Sequence, residues 1–160
     1  MTLRALDSIN DRHIVASFFA AAADYVTLET GAPPKAATTQ DFFDDRPPNV
    51  APDDVQRLGL FEHEHLVGLL AFSFGYPEPT DCYIGLLLLS PGLRGQGNGP
   101  RALAHATSLA RARGMRRQLV AVLDANPKAR AFWEREGFVW EQTFAPSDDA
   151  HSRHRLIREI

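Results

Sequence analysis

From Leu86 to Gly99 the chain reads LLLLSPGLRGQGNG. Four leucines run through Ser90-Pro91 into a loop, Arg94-Gly95-Gln96-Gly97-Asn98-Gly99, which Pro100 closes. A short run that is apolar at every position suits a strand buried on both faces. Gly95, Gly97 and Gly99 carry no Cβ, so the backbone there can take unusual dihedrals and approach a ligand closely. Pro100 has no N–H to lose and a φ suited to a first helical turn. The stretch therefore predicts a strand, a bare-backbone loop and a helix N-terminus. Loop N–H groups and helix dipole converge on one spot, an arrangement suited to phosphate oxygens. Arg94 adds a fixed positive charge that can bond phosphate through two donors.

A dinucleotide fingerprint competes for the same residues. Gly97-x-Gly99-x-x-Ala102 fits it, and Asp124 closes the next apolar run at about the expected offset of ~20 residues. Three features oppose it. Ser90 to Leu93 separate the strand from the glycines, the motif lies past the midpoint, and too little chain follows Asp124 for the rest of a doubly wound sheet. A strand-turn-helix junction without a ligand is the other alternative.

The 160 residues suit one domain, 1–160, with a real core. No apolar run approaches the ~20 residues of a membrane span, and the start has no signal-peptide architecture. The single Cys82 cannot form an internal disulfide. His63 and His65 share a strand face without an evident third ligand, so no metal site is expected. These features predict a cytoplasmic protein. The net charge of −3 conceals an asymmetry: residues 1–81 hold 13 acids and 5 Lys/Arg, a balance of −8, while residues 82–160 come to +5. A basic half fits a polyanionic cofactor and an acidic half a cationic partner.

Periodicity and punctuation predict the remaining elements. Strands are expected over Leu3 to Leu6, Gln56 to Glu62, Leu66 to Phe74, Cys82 to Leu89, Gln118 to Leu123, Val139 to Phe144 and Arg155 to Ile160. Gly68 marks a bulge. Helices are expected over Asp11 to Val26, Gln40 to Asp45 with Thr38 or Thr39 as cap, Pro100 to Arg113, and Lys128 to Glu136. The fold class is α/β, a single mixed sheet in the order β-α-α-β-β-β-α-β-α-β-β. An antiparallel meander feeds the central strand.

A second motif lies in Asn126-Pro127-Lys128-Ala129-Arg130-Ala131-Phe132-Trp133-Glu134-Arg135-Glu136-Gly137-Phe138. Asn before Pro is a natural N-cap with Pro at N1. Together, Arg94-x-x-Gly97-x-Gly99 with its Leu89-Ser90-Pro91 lead-in and Asn126, Ala129, Phe132, Gly137 and Phe138 resemble the GCN5-related N-acetyltransferase (GNAT) superfamily. Its patterns are Arg/Gln-x-x-Gly-x-Gly/Ala and Asn-x-x-Ala-x-x-Phe-Tyr-x-x-x-Gly-Phe. The element order resembles that superfamily over essentially the whole chain.

The resemblance implies acetyl transfer from acetyl-CoA, a cosubstrate, to a primary amine in a ternary complex. It implies a pyrophosphate cradle at Arg94, Gly95, Gln96, Gly97, Asn98 and Gly99. It also implies an oxyanion donor among the backbone N–H groups of Leu87, Leu88 and Leu89, and a pantetheine contact at Asn126. Trp133 stands where the family often has a tyrosine that protonates the leaving thiolate. An indole N–H donates a hydrogen bond but is no acid at neutral pH, so Trp133 is expected to shape the cofactor end. Base candidates are Asp81, which enters the central strand, and Glu29, between the first two helices. Tyr25, Asp41 and Tyr83 are further candidates for the lining. The expected partner is a small-molecule amine, cationic given the acidic first half, with neither nucleic acid nor membrane and with room for a homodimer. A noncatalytic acyl-CoA sensor is the rival from another class.

Overall fold

The computed structural model describes residues 1–146 and 151–160. Its described strands are β1 (Thr2–Ala5), β2 (Val55–Glu62), β3 (His65–Phe74), β4 (Asp81–Leu89), β5 (Arg117–Leu123), β6 (Val139–Phe144) and β7 (Arg153–Glu159). The helices are α1 (Arg12–Ala21), α2 (Ala23–Thr30), α3 (Ala36–Asp44), α4 (Asn98–Ala112) and α5 (Pro127–Arg135). The strands form one mixed sheet in the order β1-β2-β3-β4-β5-β7-β6. Only β4 and β5 pair in parallel; the other five pairings are antiparallel. This is a meander joined to two crossovers, β4 to β5 through α4 and β5 to β6 through α5 with β7 inserted between them, not the doubly wound sheet of a dinucleotide-binding domain.

Helices cover both faces. Ala102, Leu103, Ala106 and Ala110 of α4 recur at helical spacing and pack with Trp133 on Leu70, Phe72, Ile84, Val120 and Leu156 of the sheet. On the other face Val15, Phe18 and Phe19 of α1, Val26 of α2 and Phe43 of α3 meet Leu69 and Leu88. No helix among the described residues is long and apolar enough to cross a membrane.

Several local features differ from the sequence expectations. The helix expected over Asp11 to Val26 is two helices, because Ala22 leaves helical geometry at φ −105° and ψ 33°. Beyond the break, Tyr25 and Glu29 of α2 line one cavity with Tyr83, Gly85 and Leu86 of β4. The third helix starts at Ala36, earlier than expected, and Thr38 turns its hydroxyl back to accept from the Lys35 N–H at 3.2 Å. The β2–β3 turn has no glycine, yet His63 and Glu64 both take positive φ, 46° and 69°, as a tight hairpin demands. The bulge expected at Gly68 is one residue away: Leu60 faces Gly68 and Phe61 faces Leu66, so Val67 is the extra residue. A Cβ on Gly68 would lie 2.8 Å from Leu89 Cδ2, which is why that position is bare.

Candidate active site

The sheet opens where the two parallel strands part. Asp81 to Ile84 of β4 pair with Arg117 to Val120 of β5, and there the pairing ends. Beyond it, Leu86 to Leu89 pair only with β3, and Ala121 to Leu123 only with β7. A V-shaped gap remains at the carboxyl ends of both strands, the end where open α/β sheets bind ligands. Both sequence motifs lie at this gap, since the glycine loop follows β4 and Asn126 follows β5.

The gap is made at Gly85. Ala71 faces Leu86 while the next residue, Phe72, faces Ile84, so Gly85 is a bulge in β4. Side-chain parity switches there. Cys82 and Ile84 enter the α4-side core, as do Leu87 and Leu89, while Leu86 and Leu88 face α1 and α2. Backbone direction follows from the ladder. Ser90 N–H donates to Val67 at 2.9 Å, and antiparallel alternation then turns Leu88 toward β3 and Leu87 and Leu89 toward the gap. The Leu89 carbonyl indeed accepts from Arg94 Nε at 3.0 Å on that side. Of the three leucines implied as oxyanion donors, Leu87 and Leu89 present their N–H groups to the gap and Leu88 does not.

The glycine loop is a nest of donors. Gly95 and Gly97 have φ of +77° and +80°, with open space where a Cβ would project. The N–H groups of Gly95, Gln96, Gly97, Asn98 and Gly99 meet no acceptor among the described residues. Such a cradle fits the pyrophosphate of coenzyme A. Side chains brace it from behind: Gln96 Nε2 donates to Gly92 O at 2.7 Å, and Asn98 Nδ2 to Leu93 O at 3.4 Å. Arg94 is not free for phosphate alone, because both its Nη atoms pair with Asp24 of α2.

The second motif touches the first. A Cβ on Gly99 would stand 3.1 Å from the Phe132 ring, so the bare position lets α4 begin against α5. Asn126 caps α5, its Oδ1 accepting from Ala129 N–H at 3.1 Å. Trp133 is 5 % exposed and lies edge-on between Phe132, at 4.9 Å, and Phe138, at 5.1 Å. Its ring is a core element of the α5 side, whatever its edge offers the gap.

On the α1–α3 face a cavity of about 930 Å³ reaches Gly85 and Leu86. Glu29, Asp41, Tyr25 and Tyr83 line it, together with Phe19 and Phe42. Burial, reinforced by the Glu29 charge, pushes the Tyr25 phenol above its usual range, and burial does the same to Tyr83. Three carboxylates, Glu29, Asp41 and Asp45, share the lining with three guanidinium groups, Arg46, Arg57 and Arg153. Arg57 donates Nε to Phe42 O at 2.7 Å and Nη2 to Asp45 O at 2.6 Å. Burial, then the neighbouring Asp41, hold the Asp45 carboxyl above its ordinary range.

Asp81 lies elsewhere. It is fully buried, and both its oxygens accept from Arg117, Oδ1 from Nε at 2.8 Å and Oδ2 from Nη2 at 2.7 Å. The pair locks the start of β4 to the start of β5, below the gap, and Asp81 does not line the cavity. Glu29 and the glycine loop are thus brought to opposite sides of one bulge, while Asp81 is left out. Sequence reading also missed Ser73, Tyr76, Arg57 and Arg153 in the lining. A lone serine in the apolar strand HLVGLLAFSF was the available signal for the first.

The sequence model of the acetyltransferase (GNAT) family matches residues 22–138. No curated protein matches the chain by sequence. An acetyltransferase from Thermus thermophilus superposes with a TM-score of 0.81 at 25% identity, over 100% of this chain and 98% of that one. The ribosomal-protein-alanine N-acetyltransferase of Brucella melitensis has the same fold, with a TM-score of 0.74 at 13% identity and full coverage of both chains, 100% of each. The GNAT domain of S. lividans PAT gives 0.74 at 20% identity, over 99% of this chain and 89% of that one.

Proposed function

The chain belongs to the acetyltransferase (GNAT) family, and from that premise we propose that residues 1–160 form one catalytic domain that moves an acetyl group from acetyl-CoA to the primary amine of a small cationic acceptor. Transfer is direct, within a ternary complex. The observation that carries this reading is the meeting of two openings at one bulge. The donor-lined gap lies on one side of Gly85 to Leu87, and the amine cavity reaches Gly85 and Leu86 from the other.

Acetyl-CoA supplies the activated thioester when bound. The residues of the chain do the rest. The N–H groups of Gly95 to Gly99 hold the pyrophosphate, and the start of α4 adds its dipole. Leu87 N–H, unpaired on the gap edge, donates to the negative charge that gathers on the carbonyl oxygen during attack. The amine attacks only as the free base, so a proton must leave it first. Glu29, on α2 within the cavity, is the proton acceptor in this reading, directly or through one water. Asp81 is not, because Arg117 occupies both its oxygens. The thiolate leaves without a dedicated acid, since an ordinary thiol has a pKa near ~8.5 and water can protonate it.

The cationic acceptor is supported by Asp41 and Asp45. Burial, then the neighbouring Asp41, raises the Asp45 carboxyl, and an ammonium beside the two carboxyls favours their charged forms. The test is thiol release from acetyl-CoA across primary amines, with wild type and Glu29→Gln compared from acid to alkaline pH. Loss of turnover that alkaline pH partly restores supports Glu29 as the base. Acetyl-CoA binding without release of thiol to any amine supports the sensor reading instead.

A further inference from the structure

One polar atom of the cavity wall has no partner. Ser73 on β3 is 2 % exposed, and its Oγ makes no hydrogen bond. Leu70, Phe72 and Phe74 of the same strand enter the α4-side core, so alternation turns Ala71 and Ser73 to the opposite face, where both line the cavity. A buried hydroxyl ordinarily finds a partner inside the protein. Among the described residues there is none, and the residue borders the cavity.

The surroundings of Ser73 define what it can bind. Its cross-strand neighbours are Val55 on β2 and Tyr83 on β4. Tyr76 lies edge-on to Tyr83, with ring centroids 5.4 Å apart. None of these three side chains is a carboxylate or a cation. The floor guanidinium on β2, Arg57, faces Ala71 instead and spends Nε and Nη2 on backbone carbonyls. The Arg153 guanidinium also lines the cavity and acts on Tyr83, but neither residue paired with Ser73 across the strands is a counter-ion, so an ion set down there would lose its water, whereas a neutral polar group would lose little and find a partner. Ala71 faces Leu86 beside the bulge, so Ser73 stands about 7 Å along the strand from the point of transfer.

We propose that Ser73 Oγ is a specificity contact for a neutral hydroxyl or amide group carried by the acceptor, several bonds from the reacting amine. The inference rests on the acetyltransferase reading above. The acceptor is then an amino alcohol or amino amide rather than a plain alkylamine. Its ammonium end is handled by the carboxylates of the cavity and its neutral end by the strand floor.

Four acceptors of matched chain length test this: an amino alcohol, an amino amide, an alkylamine and an ω-amino acid. For wild type, kcat/KM for the alcohol or the amide should exceed that for the alkylamine about tenfold, the size of one satisfied hydrogen bond. In Ser73→Ala that ratio should collapse toward one. A ratio is insensitive to the folded fraction of either preparation. An unchanged ratio in Ser73→Ala overturns the proposal, as does a wild-type preference for the ω-amino acid. Equal use of all four amines removes this inference and leaves the transferase reading standing. No thiol release with any amine removes the transferase reading, and this inference with it.

Discussion

Arg94, the first residue of the glycine loop, and Asp24, in the first turn of α2, hold one another through two parallel hydrogen bonds, Nη2 to Oδ1 at 3.0 Å and Nη1 to Oδ2. The pair ties the glycine loop to the helix that carries Tyr25 and Glu29 into the cavity. It also holds the Asp24 carboxyl below the usual range, chiefly by the hydrogen bond from Arg94. Both side chains are well exposed, 38 % and 54 %, so the pair adds well under about 1 kcal/mol to stability. Its consequence is electrostatic. Asp24→Asn frees the guanidinium and removes an anion near the phosphates, so acetyl-CoA should bind about two- to fivefold more tightly at low salt, with the gain fading as salt is added. Calorimetry on wild type and variant checks this, and weaker binding would mean that the pair chiefly positions the loop.

Glu29 and Asp81 should separate cleanly. Asp81→Asn leaves the Arg117 guanidinium without its buried counter-charge and should cost about 3–5 kcal/mol of stability. Where the variant remains folded, the ascending limb of kcat against pH should stay in place. Glu29→Gln should lower kcat by roughly 10²–10⁴, the usual range for a lost base, with little change in the unfolding midpoint. Denaturant titration and pH–rate profiles of both variants are the measurements. A displaced limb in Asp81→Asn would return that residue to the site.

Trp133 should matter through packing. Trp133→Ala opens a void between Phe132 and Phe138 and should cost about 3–5 kcal/mol. Trp133→Phe keeps an aromatic ring there and should retain turnover within a few-fold. Melting curves and steady-state kinetics decide. A folded Trp133→Phe with turnover down a thousandfold and unchanged acetyl-CoA affinity would show that the indole takes part in the chemistry.

Acid stability should depend on Asp11. Its carboxylate accepts from both Nη atoms of Arg4 at 2.8 Å and from Asp7 N–H at 2.8 Å. The Arg4 hydrogen bonds, ahead of the Asp7 backbone contact, lower its pKa to about 2. A carboxyl held below its unfolded value of about 3.9 stabilises the fold fully above that value and loses its contribution as pH falls toward 2. Because Arg4 is half exposed, the contribution is discounted to about 1–2 kcal/mol. Asp11→Asn should lower stability by that amount at neutral pH and by almost nothing near pH 2. An equal loss at both would place the effect in packing.

The legible parts of this fold are those set by local chemistry. Glycine and proline punctuation located the loop at Arg94 to Gly99, its helix and the Asn126 cap, because φ > 0 and a missing N–H are properties of single residues. The break at Ala22 was not legible. Ile14, Val15, Phe18, Phe19, Ala22 and Ala23 keep helical spacing across it, and an alanine gives no signal for leaving the helix. Asp81 read as an open carboxylate because Arg117 is far away in sequence and meets it only through the β4–β5 pairing. The gap itself depends on where that pairing stops, a matter of register that no single strand encodes. The cavity floor was hidden for the same reason: Ser73, Tyr83 and Val55 become neighbours only across three strands.

Product analysis tests the central claim most directly. The purified protein is incubated with acetyl-CoA and a panel of primary amines, and the amines are examined by mass spectrometry alongside Gly97→Val. That variant places a β-branched residue at φ +80°, a conformation strained for it, and crowds the donor nest. Wild type should yield an N-acetylated amine, formed in step with free coenzyme A, and Gly97→Val should yield little of either. Wild-type protein that binds acetyl-CoA yet acetylates none of the amines, or that binds NAD(H) in its place, would contradict the claim.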